Sequence, residues 1–218
     1  MRTTGVLWMA APLWYLLCEA ATASVFPGYN YATFYISDLG VPEHGPLQGR
    51  MLESQIPQVM NAGFIGAGLL FFIGLVLLVP RLSASRRTVP MLLLGAVYAA
   101  GISFVGLVHG SPSNVDNGLI FFHGAGALAA IGGGNALLIL SAGPLRFLGG
   151  ARRVGPVLGS IGFASAVLLM THVLLPDGVW ERGSVYTVML WQLVVGYLLL
   201  RDDSRPAGSA ADGRRQQR

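Results

Sequence analysis

Six long apolar runs make up most of the chain, at about 5–24, 58–79, 90–109, 118–141, 154–175 and 184–200. Each is near the ~20 residues that a helix needs to cross roughly 30 Å of hydrocarbon. The pattern predicts an all-α, polytopic membrane protein, with one bundle of six transmembrane helices in residues 1–200. A disordered cytoplasmic tail is expected over 201–218, where Arg, Asp, Ala and Gly dominate. The first run, Gly5 to Ser24 behind Arg2, also has the shape of a cleavable signal peptide, with Ala21-Thr22-Ala23 near its end. Its length, and Glu19 beside the supposed cleavage point, favour a retained first helix.

The longest polar interruption, residues 25–56, is punctuated by Pro27-Gly28, Gly40, Pro42 and Gly45-Pro46, and Pro57 follows it. It also carries Phe26, Tyr29, Tyr31, Phe34, Tyr35 and Ile36. Aromatic rings at this density favour the membrane–water boundary, so the segment is expected to lie on the bundle as an ordered flap. Inside the spans, Gly63, Gly66, Gly68 and Gly74 in the second and Gly124, Gly126 and Gly132-Gly133-Gly134 in the fourth let helix backbones approach closely.

Composition agrees with the pattern: 53% of the 218 residues are hydrophobic and 11% are charged, against about 25% charged in soluble domains. The net charge of +4 comes from arginines placed between apolar spans and in the tail, not from a basic face interleaved with aromatics. That placement excludes a nucleic-acid reading and makes the charge a topology signal. Arg2, Arg81, Arg86, Arg87, Arg146, Arg152, Arg153 and the five tail arginines share one side of a six-span arrangement, leaving only Arg50 and Arg182 on the other. Positive charge near span ends stays inside, so both termini are expected in the cytoplasm and the protein in the cell membrane. Cys18 stands alone in an apolar run and reads as a small buried hydrophobe.

With that orientation, His44, His109, His123 and His172 all fall at or near the outer face, together with Glu19, Asp38, Glu43, Glu53, Asp116, Asp177 and Glu181. Two haems stacked across the bilayer would need histidine pairs near both faces, so haem is disfavoured. His109, His123 and His172 on three helix ends could hold a zinc ion with an open position, although their spacing matches no metal signature. The alternative is that these histidines are interfacial side chains satisfied by backbone or water. Glu19, inside a span, needs a partner, and Arg182 or a histidine could supply one. Glu181-Arg182 also reads as a solvated loop pair. Asn61, Asn135 and Gln192 are placed to hydrogen-bond between helices.

The landmarks Phe26-Pro27-Gly28-Tyr29, Ile36-Ser37-Asp38-Leu39-Gly40, Asn61 with its following glycines, His109, His123, Gly134-Asn135 and Glu181-Arg182 occur in an order that resembles the family called domain of unknown function 998. The resemblance covers nearly the whole chain. It implies six spans and a retained first helix, and it brings no established activity. A weaker similarity, through Tyr35-Ile36-Ser37-Asp38, Pro42-Glu43 and the Asn61 region, points to the six-span Frag1/DRAM/Sfk1 group. That likeness implies a link to lipid remodelling, lipid asymmetry or autophagy regulation.

Three functions follow as expectations. The first is a lipid-interacting protein with a polar pocket at the outer leaflet, its candidates being Glu19, Ser37, Asp38, His109, His123, Glu181 and Arg182. Here the Ser37-Asp38 flap caps a cavity lined by Glu19, His109 and His123, and membrane lipids are the partners. The second is an intramembrane metal-dependent hydrolase or transferase acting on lipid, with His109, His123 and His172 as ligands. The third is a structural or regulatory subunit.

Overall fold

A computed structural model describes residues 1–203. In hydrocarbon no water can satisfy a free backbone group, so each apolar run closes its hydrogen bonds within itself as a helix. Six helices are long and apolar enough to cross a membrane. They are α1 (Arg2–Ser24), α2 (Pro57–Leu78), α3 (Thr88–Leu107), α5 (Ile120–Ser141), α6 (Val154–Thr171) and α7 (Asp177–Asp203), with a one-turn α4 (Pro112–Asp116) between α3 and α5. Each spanning helix packs on its neighbours in sequence, and α7 closes the ring against α1. The ends on the side of residues 25–56 are called the loop face below.

Both the interior and the exterior of the ring are apolar. Trp8 stacks on Phe71 and tilts against Trp191, and Tyr15, Leu75, Tyr98, Leu137 and Val188 fill the rest of the core. Leu69, Phe72, Val76, Leu93, Leu128, Val157 and Ile161 are exposed and form the surface that lipid would cover. Close approach is required where a helix backbone meets its neighbour. A Cβ at Gly101 of α3 would lie 2.5 Å from the backbone nitrogen of Ala130 on α5, a contact no side chain tolerates.

Polar ties cross this interior. Asn135 of α5 donates to Ser184 O of α7 at 2.9 Å and accepts from the Thr187 hydroxyl, while Gln192 reaches the Tyr98 hydroxyl at 3.5 Å. Asn61 of α2 instead donates to Gly40 O in the loop and meets His109 Nε2 at 3.1 Å. Its Oδ1 is the one buried side-chain polar atom without a partner among the described residues.

The segment between α1 and α2 is packed. Phe26, Ile36, Leu39, Val41 and Leu52 are buried in it, and Phe26, Tyr29 and Phe34 form an aromatic cluster. A one-turn 3-10 helix, Ser37–Gly40, is followed by a hairpin of β1 (Gly45–Leu47) and β2 (Arg50–Leu52), paired antiparallel. Gln48 and Gly49 both adopt positive φ, as a two-residue turn of matching twist requires.

Three boundaries differ from the sequence reading. α6 ends at Thr171, with His172 in the left-handed conformation, rather than near 175. α7 begins at Asp177 rather than 184, so Glu181 and Arg182 lie inside a helix and are not a solvated loop pair. Gly178 and Gly183, which read as link residues, serve close packing. A Cβ at Gly178 would meet the carbonyl oxygens of Tyr31, Ala32 and Phe34 at 2.5–2.8 Å. α7 also runs to Asp203, into the segment assigned to the tail, and the rest of that segment, 204–218, lies outside the described residues.

Candidate functional site

The polar side chains of the loop face sort into three groups. The first is centred on Arg182, whose position in the second helical turn of α7 aims it at the end of α1. Its Nε and Nη2 donate to Glu19 Oε1 at 3.1 and 3.0 Å, and the Tyr186 hydroxyl donates to Glu19 Oε2 at 2.7 Å. Nη1 donates to the carbonyls of Tyr31, Phe34 and Gly178, and Nη2 also reaches the Tyr29 hydroxyl at 2.6 Å. The guanidinium lies 4.8 Å from the Tyr31 ring centroid. Arg182 is 8% exposed and Glu19 1%. Every donor of the guanidinium is used, so this ion pair meets the condition under which buried charge is tolerated. It pins residues 29–34 to α1 and α7.

The second group is centred on Asp38. Arg50 Nε donates to Asp38 Oδ2 at 2.8 Å, the Tyr35 N–H adds a bond at 2.9 Å, and the Arg50 guanidinium stacks 4.3 Å from the Tyr35 ring. Burial pushes the Asp38 carboxyl up from its ordinary range, against Arg50 and the Tyr35 N–H, which hold it down. The Tyr35 hydroxyl then donates to Asp177 Oδ2 at 2.8 Å, and the same oxygen meets His172 Nδ1 at 2.8 Å. Further along the loop, Glu43 accepts from the Ser113 N–H and hydroxyl, bonds that lower its pKa. Desolvation lowers the pKa of His109, with Glu43 opposing.

The third group borders empty space. A small cavity of about 50 Å³ is lined by Tyr15, Phe64 and Tyr98 of the core. A larger one of about 320 Å³ lies beneath the loop, lined by Tyr35, Asp38, Arg50, Gly110 and His172 among others. Ser37, His123, Ala127, Ile131 and Glu181 line both, which places them at the junction. Glu181 Oε2 accepts from the Ile36 N–H at 2.5 Å, the carboxylate's one hydrogen bond, and no ion-pair partner stands beside it among the described residues. His123 Nδ1 lies 2.7 Å from Val108 O. A carbonyl only accepts, so Nδ1 carries a proton there and, in the neutral ring, Nε2 is left as an acceptor. The wall of the larger cavity also includes Val115, Ile120, Leu169 and Met170, and Met170 is 78% exposed on the bundle exterior.

Of the expected pocket residues, Ser37, Asp38, His123 and Glu181 line this space. Glu19 and Arg182 are locked to each other and to the loop, and His109 is held by Asn61. His109, His123 and His172 are not brought together: each has a separate local partner, and no three His, Cys, Asp or Glu side chains among the described residues form a group that could hold a metal ion. Arg50 and Tyr35 are site residues that sequence reasoning did not select. The signal was present for Arg50, because it and Arg182 are the two arginines on the loop face, and both are ion-paired to buried carboxylates.

Fold and composition define an integral, multi-pass, six-helix membrane protein. More particularly, the chain belongs to the family described as protein of unknown function (DUF998), whose pattern matches residues 9–198. No curated protein and no solved structure matches it.

Proposed function

We propose that this protein binds a membrane lipid by its polar head, taken laterally into the cavity beneath the loop. The observation that carries the reading is the composition of that cavity's wall. Ser37, Asp38, Arg50, His123 and Glu181 line it together with Ile120, Leu169 and Met170, and Met170 is exposed on the exterior that lipid covers. An amphipathic ligand matches such a wall, with its head among the polar groups and its chains leaving between α5 and α6. The arginine bias supports an orientation with both termini in the cytoplasm of a cell membrane, in which the cavity would lie at the outer leaflet. The weaker similarity of the first loop to lipid-linked six-span proteins adds support.

Native mass spectrometry of detergent-purified protein tests this. Wild type is expected to retain lipid at collision energies that strip Ala127→Trp, in which the indole fills the junction. Val157→Trp, on the exterior of α6, is expected to behave as wild type. Equal stripping of all three would overturn the reading. It would favour a structural or regulatory subunit, for which the firmly held Asp38–Arg50 and Asn61–His109 contacts of the loop are the supporting observation.

A further inference from the structure

The side chains at the junction specify what kind of head group can enter. Each charged group near Glu181 is already committed. Arg182 is spent on Glu19, Arg50 on Asp38, and the remaining neighbours, Asp38 and Glu19, are themselves acids. Glu181 therefore faces the cavity as a carboxyl group with one hydrogen bond and no ion-pair partner among the described residues. His123 presents an Nε2 with no partner, its Nδ1 proton being held by Val108 O. The Ser37 hydroxyl, which can donate or accept, has no hydrogen-bond partner among the described residues and lines the same junction. Arg50 is the one arginine in the wall, and its Nε and one Nη2 contact are directed at Asp38.

An anionic phosphate placed at this junction would meet the Glu181 carboxyl group and His123 Nε2 as an acceptor, while the Arg50 guanidinium in the wall is turned toward Asp38 and Gln48. A quaternary ammonium would meet the charge but leave all three acceptors unpaired. A primary ammonium carries one positive charge and three N–H donors, one each for Glu181, His123 Nε2 and Ser37. Once a ligand has displaced water from the junction, acceptors it leaves unpaired discriminate strongly against it. Beyond the junction the small chamber adds the rings of Tyr15, Phe64 and Tyr98, whose faces also attract a cation.

We propose that the group recognised at this junction is a protonated primary amine, in the head group of an aminolipid. This rests on the lipid-binding reading above and narrows it to one head-group chemistry. The site takes phosphatidylethanolamine in preference to phosphatidylglycerol, and in preference to phosphatidylcholine, which has the charge without the donors. Ser37, His123 and Glu181 are the residues that read the amine.

The test exchanges delipidated protein with equimolar phosphatidylethanolamine, phosphatidylglycerol and phosphatidylcholine, and reads the retained lipid by native mass spectrometry. Wild type is expected to enrich the primary amine lipid about tenfold over the other two, the factor that ~1.4 kcal/mol of discrimination gives. Glu181→Gln, which keeps an acceptor for the Ile36 N–H, is expected to lose that preference with an unchanged melting temperature. Ser37→Ala, which removes a hydroxyl that holds nothing else, is expected to reduce it. A parallel arm adds ethanolamine alone. A rise in wild-type melting temperature that Glu181→Gln abolishes, without retained lipid, would keep the amine and assign it to a soluble source, overturning the lipid reading. Retention of all three lipids without preference, or a preference that survives Glu181→Gln, would overturn the amine proposal and leave lipid binding standing. No retained lipid and no response to ethanolamine would overturn both.

Discussion

Glu181 and Arg182 are consecutive residues of one helix, and the protein treats them in opposite ways. Around Arg182 the structure is saturated: five donors, a carboxylate, a tyrosine hydroxyl and three carbonyls meet without a gap. Around Glu181 it is unsaturated, with one hydrogen bond, an unpartnered histidine nitrogen nearby and open volume alongside. Unpaired polar groups in an apolar interior cost stability. On the proposed reading, a fold that saturates one charge and leaves its neighbour facing a cavity divides architecture from function between them. Departures from local consistency of this kind concentrate where a ligand acts.

The largest effect that would separate the two regions is on the saturated side. Arg182→Met leaves Glu19 buried without its counter-charge, and breaking such a pair costs about 3–5 kcal/mol. The expected readout is a large fall in melting temperature in detergent, with the loop around Tyr31 opened to protease. The double variant Glu19→Leu with Arg182→Met should recover much of that loss, since neither charge is then stranded. A double variant as unstable as the single one would break the assignment of Arg182 to architecture.

Gly178→Ala comes next. Its methyl group would press on three loop carbonyls, and overpacking of this kind costs about 1–3 kcal/mol. The loop, rather than the helix, is expected to yield, which limited proteolysis reads directly. Asp38→Asn strands part of the Arg50 guanidinium and should cost about 1–3 kcal/mol, visible as a smaller fall in melting temperature than Arg182→Met gives.

Acid sharpens the comparison further. His109 and Glu43 both have pKa values lowered by the fold, from ordinary values of 6.5 and 4.5. For both, the unfolded chain binds protons first, so their contribution is present above those values and is lost as pH falls through them. Asp38, raised by burial, works in the opposite sense and relaxes on acidification. The melting temperature is expected to decline below about pH 6.5, and His109→Gln to flatten the first part of that decline. Smallest, and opposite in sign to Arg182→Met, is Glu181→Gln, which replaces a carboxyl group that has no ion-pair partner among the described residues and should leave the fold as stable as wild type or slightly more so.

The spans were legible because run length alone decides whether a segment can cross hydrocarbon. The start of α7 was not, because Pro176, Gly178, Glu181, Arg182 and Gly183 have the composition of a link. Their helical state depends on partners, Glu19 and the loop carbonyls, that lie about 150 residues earlier in the chain. The β1–β2 hairpin was hidden for a different reason: strands of three residues carry no readable alternation. The gathering of histidines at one face was readable. Which of them borders open space was not, because His109 and His123 differ only in where Asn61 and Val108 O sit around them.

The most direct measurement is a high-resolution structure of the protein in nanodiscs containing an aminolipid. Head-group density is expected among Ser37, His123 and Glu181, with acyl chains leaving past Ile120, Leu169 and Met170. Water alone in that cavity, with ordered lipid confined to the outer surface of the bundle, would contradict it.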